Sequence, residues 1–308
     1  QYVFGPVPSR RLGRSLGIDL VPYKTCSYDC IYCQLGCTTN KTISRQEWTP
    51  CNIIIEQLQS RLEELETPPD YITLSGSGEP TLYSRIDELV DRIKTLTSIP
   101  IAIITNGSLL WQKEVRNQVK EADLIIPSLD AGDEILFHHI NRSHESITFR
   151  TMIEGLIQLR NEWKKSYWLE IFLLAGHNAI QSEIDKIIHY VDIIQPDRVQ
   201  LNTVIRPPAN EYAYTVPYEE MQKIAQAFTP PAEVITEYQN TYNLLLHSTY
   251  RESDLLSLLH RRPCTLTDLS TSVNVPPNAL LKYLDTLLLT KKIKVETING
   301  KSFYIISK

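Results

Sequence analysis

Three cysteines spaced Cys26-x3-Cys30-x2-Cys33 lie in the segment TCSYDCIYCQLGCT (25–38), with Cys37 four residues beyond the third. Cys51 and Cys264 stand apart. Thiols this close together can form disulfides, ligate zinc or hold an iron–sulfur cluster. Disulfides belong to oxidising compartments, and the leading residues QYVFGPVPSRRLG carry no apolar stretch after their basic residues, so no export signal is expected. Zinc would need a fourth ligand, which Cys37 or Cys51 could supply, but zinc sites commonly pair two short knuckles from separate places. Three thiolates from one loop suit an iron–sulfur cube with one iron left unligated by protein. A small molecule could then coordinate that iron. Cys37 reads as a free thiol beside the cluster, and Cys264 as core.

Such a loop needs a scaffold. Apolar runs at 17–22, 71–80, 100–107, 122–131, 168–176 and 198–204 read as strands. Helical spacing fills 51–65, 83–96, 149–163 and 184–194. Short apolar strands without strict alternation suit parallel strands covered on both faces. Repeated βα units build a parallel sheet or barrel, and six units are too few for the full eightfold one. The expected fold is α/β, a partial (βα)6 TIM-type barrel. Polar residues gather at the C-terminal ends of the strands: Ser75–Glu79, Thr105 and Asn106, Ser128–Asp130, and Asn202. In barrels of this kind those ends line the mouth that carries the chemistry.

From 251 the pattern changes. Helical segments at 251–262, 265–275 and 276–293 precede two strand-like runs about Asn299-Gly300, a strong hairpin signal. Three helices and a hairpin predict a C-terminal winged helix-turn-helix domain over 245–308, after a barrel domain over 1–240. The whole chain of 308 residues carries a formal charge of −5, which argues against a protein coated in nucleic acid. Residues 251–308 nevertheless hold nine Lys/Arg and five Asp/Glu, so the end of the chain is basic on an acidic body. That asymmetry points toward a polyanionic partner. No apolar run reaches the roughly 18 residues of a membrane span, and a cytoplasmic protein with no membrane contact is expected.

The cysteine pattern, with Tyr32 immediately before its last member, resembles the radical S-adenosylmethionine (SAM) superfamily. Gly78-Glu79-Pro80 is similar to that superfamily's glycine-rich motif, which receives the SAM amino group. Thr105-Asn106-Gly107 resembles its third-strand motif, and Ser128-Leu129-Asp130 its fourth, which contacts the SAM carboxylate or ribose. FGPVPSRRLGRSLGIDLVP (4–22) followed by the cysteine loop resembles a group related to wyosine-forming tRNA-modifying enzymes. The resemblance implies a [4Fe–4S] cluster on Cys26, Cys30 and Cys33. SAM would chelate the open iron, and its reductive cleavage would give a 5′-deoxyadenosyl radical that abstracts hydrogen from a substrate. An electron donor such as flavodoxin or ferredoxin is implied as well.

Further SAM contacts are expected of Tyr32 near the adenine, of Leu201 and Asn202 on the last strand, and of Arg142. Arg10, Arg11 and Arg14 form a basic patch near the cluster that could meet a phosphate or carboxylate, or pair with acidic loop residues. The favoured substrate is RNA, tRNA in particular. One alternative is a peptide or protein substrate captured by the winged helix. Another is a non-catalytic iron–sulfur sensor that binds DNA, which the SAM-like strand-end motifs argue against.

Overall fold

In the computed structural model, which describes residues 2–235, 252–273, 275–298 and 300–307, the chain begins with an antiparallel pair, β1 (Val3–Ser9) and β2 (Gly13–Ile18). The cysteine loop follows, pinned by a short parallel pair, β3 (Thr25–Cys26) and β4 (Asn40–Lys41). Then come α1 (Cys51–Glu63), β5 (Tyr71–Leu74), α2 (Ile86–Leu96), β6 (Ile101–Thr105), α3 (Lys113–Val119), β7 (Leu124–Pro127), α4 (Glu134–Asn141) and α5 (Phe149–Glu162). β8 (Ser166–Leu173), α6 (Gln181–Ile194), β9 (Arg198–Thr203), α7 (Tyr218–Ala225) and β10 (Glu233–Val234) complete the first part. Among the described residues these strands form one sheet in the order β1-β2-β5-β6-β7-β8-β9-β10, parallel except for β1.

Each of the six expected strands is present, but the first occupies residues 13–18 rather than 17–22. Two edge strands went unread. β1 contains Pro6 and Pro8, residues that a strand tolerates only at an edge or bulge, and the turn after it is charged. β10 is two residues long.

Strand alternation gives the sheet two apolar faces. Ile101 and Ile103 of β6 lie in the large core with the helices, together with Ile72, Leu74 and Leu156. Ala102 and Ile104 face the other way, into a second cluster with Leu12, Leu124 and Ile126. The sheet curls so strongly that its first hairpin meets its far side. Arg10 Nη1 donates to Asn202 Oδ1 on β9 at 2.8 Å, and Arg11 Nη1 lies 3.0 Å from Glu170 Oε2 on β8. The concave side is thus a lumen with a lateral seam between β1 and β9.

The last part comprises α8 (Glu252–Arg261), α9 (Leu266–Val273), α10 (Pro277–Leu289), β11 (Ile293–Ile298) and β12 (Lys301–Ile306). It has its own core around Leu255, Leu269, Leu280, Leu284 and Ile293. Thr265 caps α9 reciprocally with Asp268: Asp268 N donates to Thr265 Oγ1 (3.1 Å) and Thr265 N to Asp268 Oδ2 (3.0 Å). β11 and β12 are antiparallel, with Ile298 opposite Lys301. The Asn299 half of the expected turn, the side chain of Lys282 and the junction between the two proposed domains near 240–245 lie outside the described residues.

This unit packs on the seam through α8 and α9, both against β1. Arg206, in the loop after β9, donates from Nε to Pro263 O at 3.1 Å, and its Nη2 lies 3.3 Å from Asp268 Oδ1. Arg261 reaches Asp19 Oδ2 with both Nε and Nη2 at 2.8 Å, and its guanidinium stacks 4.1 Å from the Phe4 ring centre. Asp19 and Arg261 are both nearly buried, so deleting one strands the other's charge. Arg261→Ala should therefore destabilise the protein by about 3 kcal/mol, read from urea denaturation. A loss below about 0.5 kcal/mol, the size of an exposed pair's contribution, would contradict the buried pair.

Candidate active site

A cavity of about 770 Å³ fills the lumen. Cys26, Cys30, Cys33, Tyr32, Gly78, Glu79, Thr105, Asn106, Ser128 and Asn202 line it. The cysteine loop is held to the turn after β5 and to the end of α4 by backbone bonds. Lys24 N donates to Ser77 O (2.6 Å), Glu79 N to Thr25 O (3.1 Å), Asp29 N to Asn141 O (3.0 Å) and Ile31 N to Ile140 O (2.9 Å). Within the loop, Thr38 N donates to Asp29 Oδ1 (2.6 Å) and Thr38 Oγ1 to Tyr28 O (2.7 Å). Asp19 accepts from Ser77 N (2.8 Å) and Ser77 Oγ (2.9 Å), which fixes the glycine-rich turn after β5 from beneath.

All three thiols are free. Burial, ahead of neighbouring carboxylates and thiols, pushes the Cys26 thiol up to about 12 and raises Cys30 well above the ordinary thiol range. Cys33 is raised too, again mainly by burial. Thiolates in such a place need a positive centre to compensate them. N–H donors aim at two of the sulfurs: Asn106 Nδ2 and Tyr28 N at Cys26 Sγ, and Asn141 Nδ2 at Cys30 Sγ, each 3.5 Å away. Hydrogen bonds to ligating sulfur are one of the means by which proteins tune iron–sulfur centres. Among the described residues no three of His, Cys, Asp or Glu converge on a single metal ion. A cluster takes each thiolate at a different iron, so soft sulfur donors spread around one end of a cavity fit it.

Glu79 is buried and heavily engaged. Thr81 Oγ1 and Thr105 Oγ1 each donate to its Oε1 at 2.6 Å, and Asn106 N donates to Oε2 at 2.8 Å. Burial still holds its carboxyl above the usual range against those bonds. It ties the end of β5 to the end of β6. Tyr32 stacks on Phe172 with ring centres 3.9 Å apart and donates its hydroxyl to Asp130 Oδ2 at 2.5 Å. Asp130 lies behind this pair and also accepts from Asn141 Nδ2 (2.8 Å) and Phe172 N (2.9 Å). It does not line the cavity.

Burial raises Asp130 from 3.8 to about 6, against the pull of its hydrogen bonds from Tyr32, Phe172 and Asn141 and with a small push from Glu170. A carboxyl whose folded value is raised favours the fold fully below 3.8, and that contribution is gone once the pH has climbed through about 6. Relative to Asp130→Asn, the wild-type apoprotein should lose about 1.4 kcal/mol of stability between roughly pH 5 and pH 8. Parallel urea curves for the two proteins at both pH values check this, and a pH-independent difference would contradict it.

Besides Asp130, two further expected contacts stand apart from the cavity. Leu201 is fully buried toward the helices, because neighbouring strand residues point to opposite faces. Arg142 ends α4 in a left-handed conformation (φ 46°), bonds to the Tyr212 hydroxyl and lies 3.7 Å from Asp29. Of the basic patch, Arg10 and Arg11 enter the lumen, while Arg14 points out to Thr67 O (3.3 Å). Sequence reasoning missed Glu170, Phe172, Asn141, Arg206 and Arg262. Glu170 carried a readable signal: a charge inside the apolar run WLEIFLL must find a partner if that run is a strand.

The model of the radical SAM superfamily matches residues 20–191, which hold the cysteine loop and the ends of β5, β6 and β7. This chain belongs to the radical SAM superfamily. It is a radical SAM enzyme, with a [4Fe–4S] cluster and SAM as its cofactors. A UPF0026 protein of Methanocaldococcus jannaschii is 34% identical over 311 residues, 98% of this chain and 95% of that one. A protein of Brachyspira hyodysenteriae named GTPase Obg is 41% identical over 307 residues, 99% of this chain. The radical SAM chain spans only 45% of that relative's length. A radical SAM methyltransferase from Sphaerobacter thermophilus superposes with a TM-score of 0.55 at 15% identity, covering 71% of this chain and 65% of the other. SuiB of Streptococcus suis bound to SAM superposes with a TM-score of 0.51 at 16% identity, covering 78% and 53%. At those identities the likeness is one of fold. No helix among the described residues is long and apolar enough to cross a membrane.

Proposed function

We propose that Cys26, Cys30 and Cys33 hold the cluster and that the enzyme modifies RNA, tRNA in particular, in the manner of the wyosine-related group. On this reading residues 1–240 form the catalytic domain and residues 245–308 a winged helix that presents the substrate. The observation that carries it is one continuous cavity from the three thiols to the seam, where Thr265, Leu266, Lys301 and Phe303 of the last unit join the lining. About 770 Å³ suits one flipped-out nucleotide rather than a duplex. The basic balance of residues 251–308 supports a polyanionic substrate on that side.

Held there by Cys26, Cys30 and Cys33, the cluster with SAM would supply one-electron reductive cleavage of SAM as the source of hydrogen-atom abstraction from the substrate. This chain's residues provide the setting. Gly78 and Glu79, with Thr105, Asn106 and Ser128, form the edge on which SAM lies. Asn106 and Asn141 orient the sulfurs, and the stacked Tyr32–Phe172 pair walls the adenine side, braced by Asp130. The covered lumen keeps water and oxygen from the reactive species. A cytoplasmic setting, with a flavodoxin or ferredoxin as electron donor, belongs to the same proposal.

The test is substrate-dependent turnover. Under anaerobic conditions with SAM and reductant, bulk tRNA from cells lacking the protein should raise 5′-deoxyadenosine release and acquire a changed nucleoside mass. Equal turnover with and without tRNA, and an unchanged nucleoside profile, would reject the RNA reading. Stimulation by a peptide mixture instead would favour a peptide substrate.

A further inference from the structure

We infer that the seam side of the lumen is an anion site, in which Arg10, Arg206 and Arg262 receive a phosphate group of the substrate. This deepens the proposal above and rests on its reading of the lumen as the substrate chamber. The three arginines come from the β1–β2 turn, from the loop after β9 and from the residue following α8, so the first fold unit and the last both contribute. With Arg11 they make four of the five guanidinium groups that line one cavity, Arg261 being the fifth.

Two carboxylates answer them. Glu170 pairs with Arg11 at 3.0 Å and Asp268 with Arg206 at 3.3 Å. Among the described residues Arg10 has only the neutral Asn202 as a hydrogen-bonding acceptor, at 2.8 Å. Arg262 Nη2 is buried with no hydrogen-bond partner among the described residues. Asp19 is already engaged by Arg261.

Among the described residues the cluster therefore holds roughly two unanswered positive charges in a partly desolvated place. Burial first, and then Arg206, Arg11 and Arg262, bring the Arg10 guanidinium down to about 9, with Glu170 pulling the other way. Burial and Arg262 lower Arg206 as well. Packing like charges together out of water costs stability, and a bound anion offsets that cost. A phosphate dianion matches the charge, and guanidinium forks match its oxygens. Neither domain alone assembles the set, which makes the last unit a wall of the substrate chamber as well as its cover.

The experiment is thermal unfolding of the full-length holoenzyme with SAM, titrated with inorganic phosphate against chloride at matched ionic strength. Phosphate should raise the midpoint saturably, since a ligand that binds only the folded state stabilises it. Arg262→Gln and Arg10→Gln should each weaken that response at least about tenfold. Without phosphate, Arg262→Gln should unfold at the same temperature as wild type or higher, because it removes an unpartnered charge from a repelling group. Ribose 5-phosphate and a short single-stranded RNA are the two further arms. Competition by the sugar phosphate alone assigns the site to a small phosphorylated substrate, and competition by the RNA assigns it to a nucleic-acid phosphate. No saturable phosphate effect in wild type, or an effect unchanged in both variants, overturns the inference while leaving SAM cleavage untouched. Loss of SAM cleavage with an intact phosphate response would instead sink the catalytic reading.

Discussion

Alanine at Cys30 is expected to give a protein that purifies and reconstitutes without the brown colour of an iron–sulfur cluster and releases no 5′-deoxyadenosine from SAM. The reason lies in the number of soft donors at the mouth. Cys26, Cys30 and Cys33 are the cysteines that line the cavity, and with one gone two thiols remain. Cys37 is exposed and outside the lining, and Cys51 is buried in α1. Neither can stand in without moving the loop, which backbone bonds from Asn141, Ile140 and Ser77 hold in place. Cys37→Ala should therefore keep both colour and activity. Iron and sulfide analysis of the four single variants at positions 26, 30, 33 and 37 decides the matter. A full cluster in Cys30→Ala, or an empty Cys37→Ala, would overturn the ligand assignment.

Alanine at Gly78 is the second large effect. A Cβ there would fall well inside the contact distance of the Thr25 carbonyl oxygen, and within 2.9 Å of the Val21 side chain. Residues 25 and 78 are bridged in parallel, and the same Thr25 carbonyl accepts from Glu79 N. The obstacle is backbone, so no rotamer change relieves it. Either the cysteine loop lifts from the end of β5 or the glycine-rich turn deforms. Both outcomes displace Cys26 from Asn106 and cost about 3 kcal/mol, the upper end of ordinary overpacking. Gly78→Ala should thus lose stability and most cluster occupancy together. A wild-type melting temperature with full iron content would show that the close approach is not needed.

The parts of this site that were legible in the sequence are those whose signal is local. Three thiols within eight residues announce themselves, and so do polar residues at the ends of apolar strands. Residues whose role depends on tertiary convergence were not legible. Arg206 and Arg262 lie 56 positions apart and meet only because the last unit packs across the seam. Nothing in VIRPP or HRRPC marks them. Leu201 was singled out with Asn202 because the two are adjacent, yet the twofold repeat of a strand sends them to opposite faces. β1 was hidden by its prolines, which an edge strand accommodates and a central one does not. The three helices expected over 251–262, 265–275 and 276–293 and the hairpin after them are present as elements, although the third helix ends at Leu289 rather than 293. Their position over the lumen follows from Arg206, Arg261 and Asp19, charges whose partners are far away in sequence.

Incubation of the anaerobically reconstituted enzyme with SAM and dithionite, with 5′-deoxyadenosine and methionine quantified, tests the account most directly. The arrangement of three thiols at the end of a covered lumen predicts both products in equal amounts, and neither from Cys26→Ala, Cys30→Ala or Cys33→Ala. A wild-type protein with a complete four-iron cluster that leaves SAM intact would contradict it.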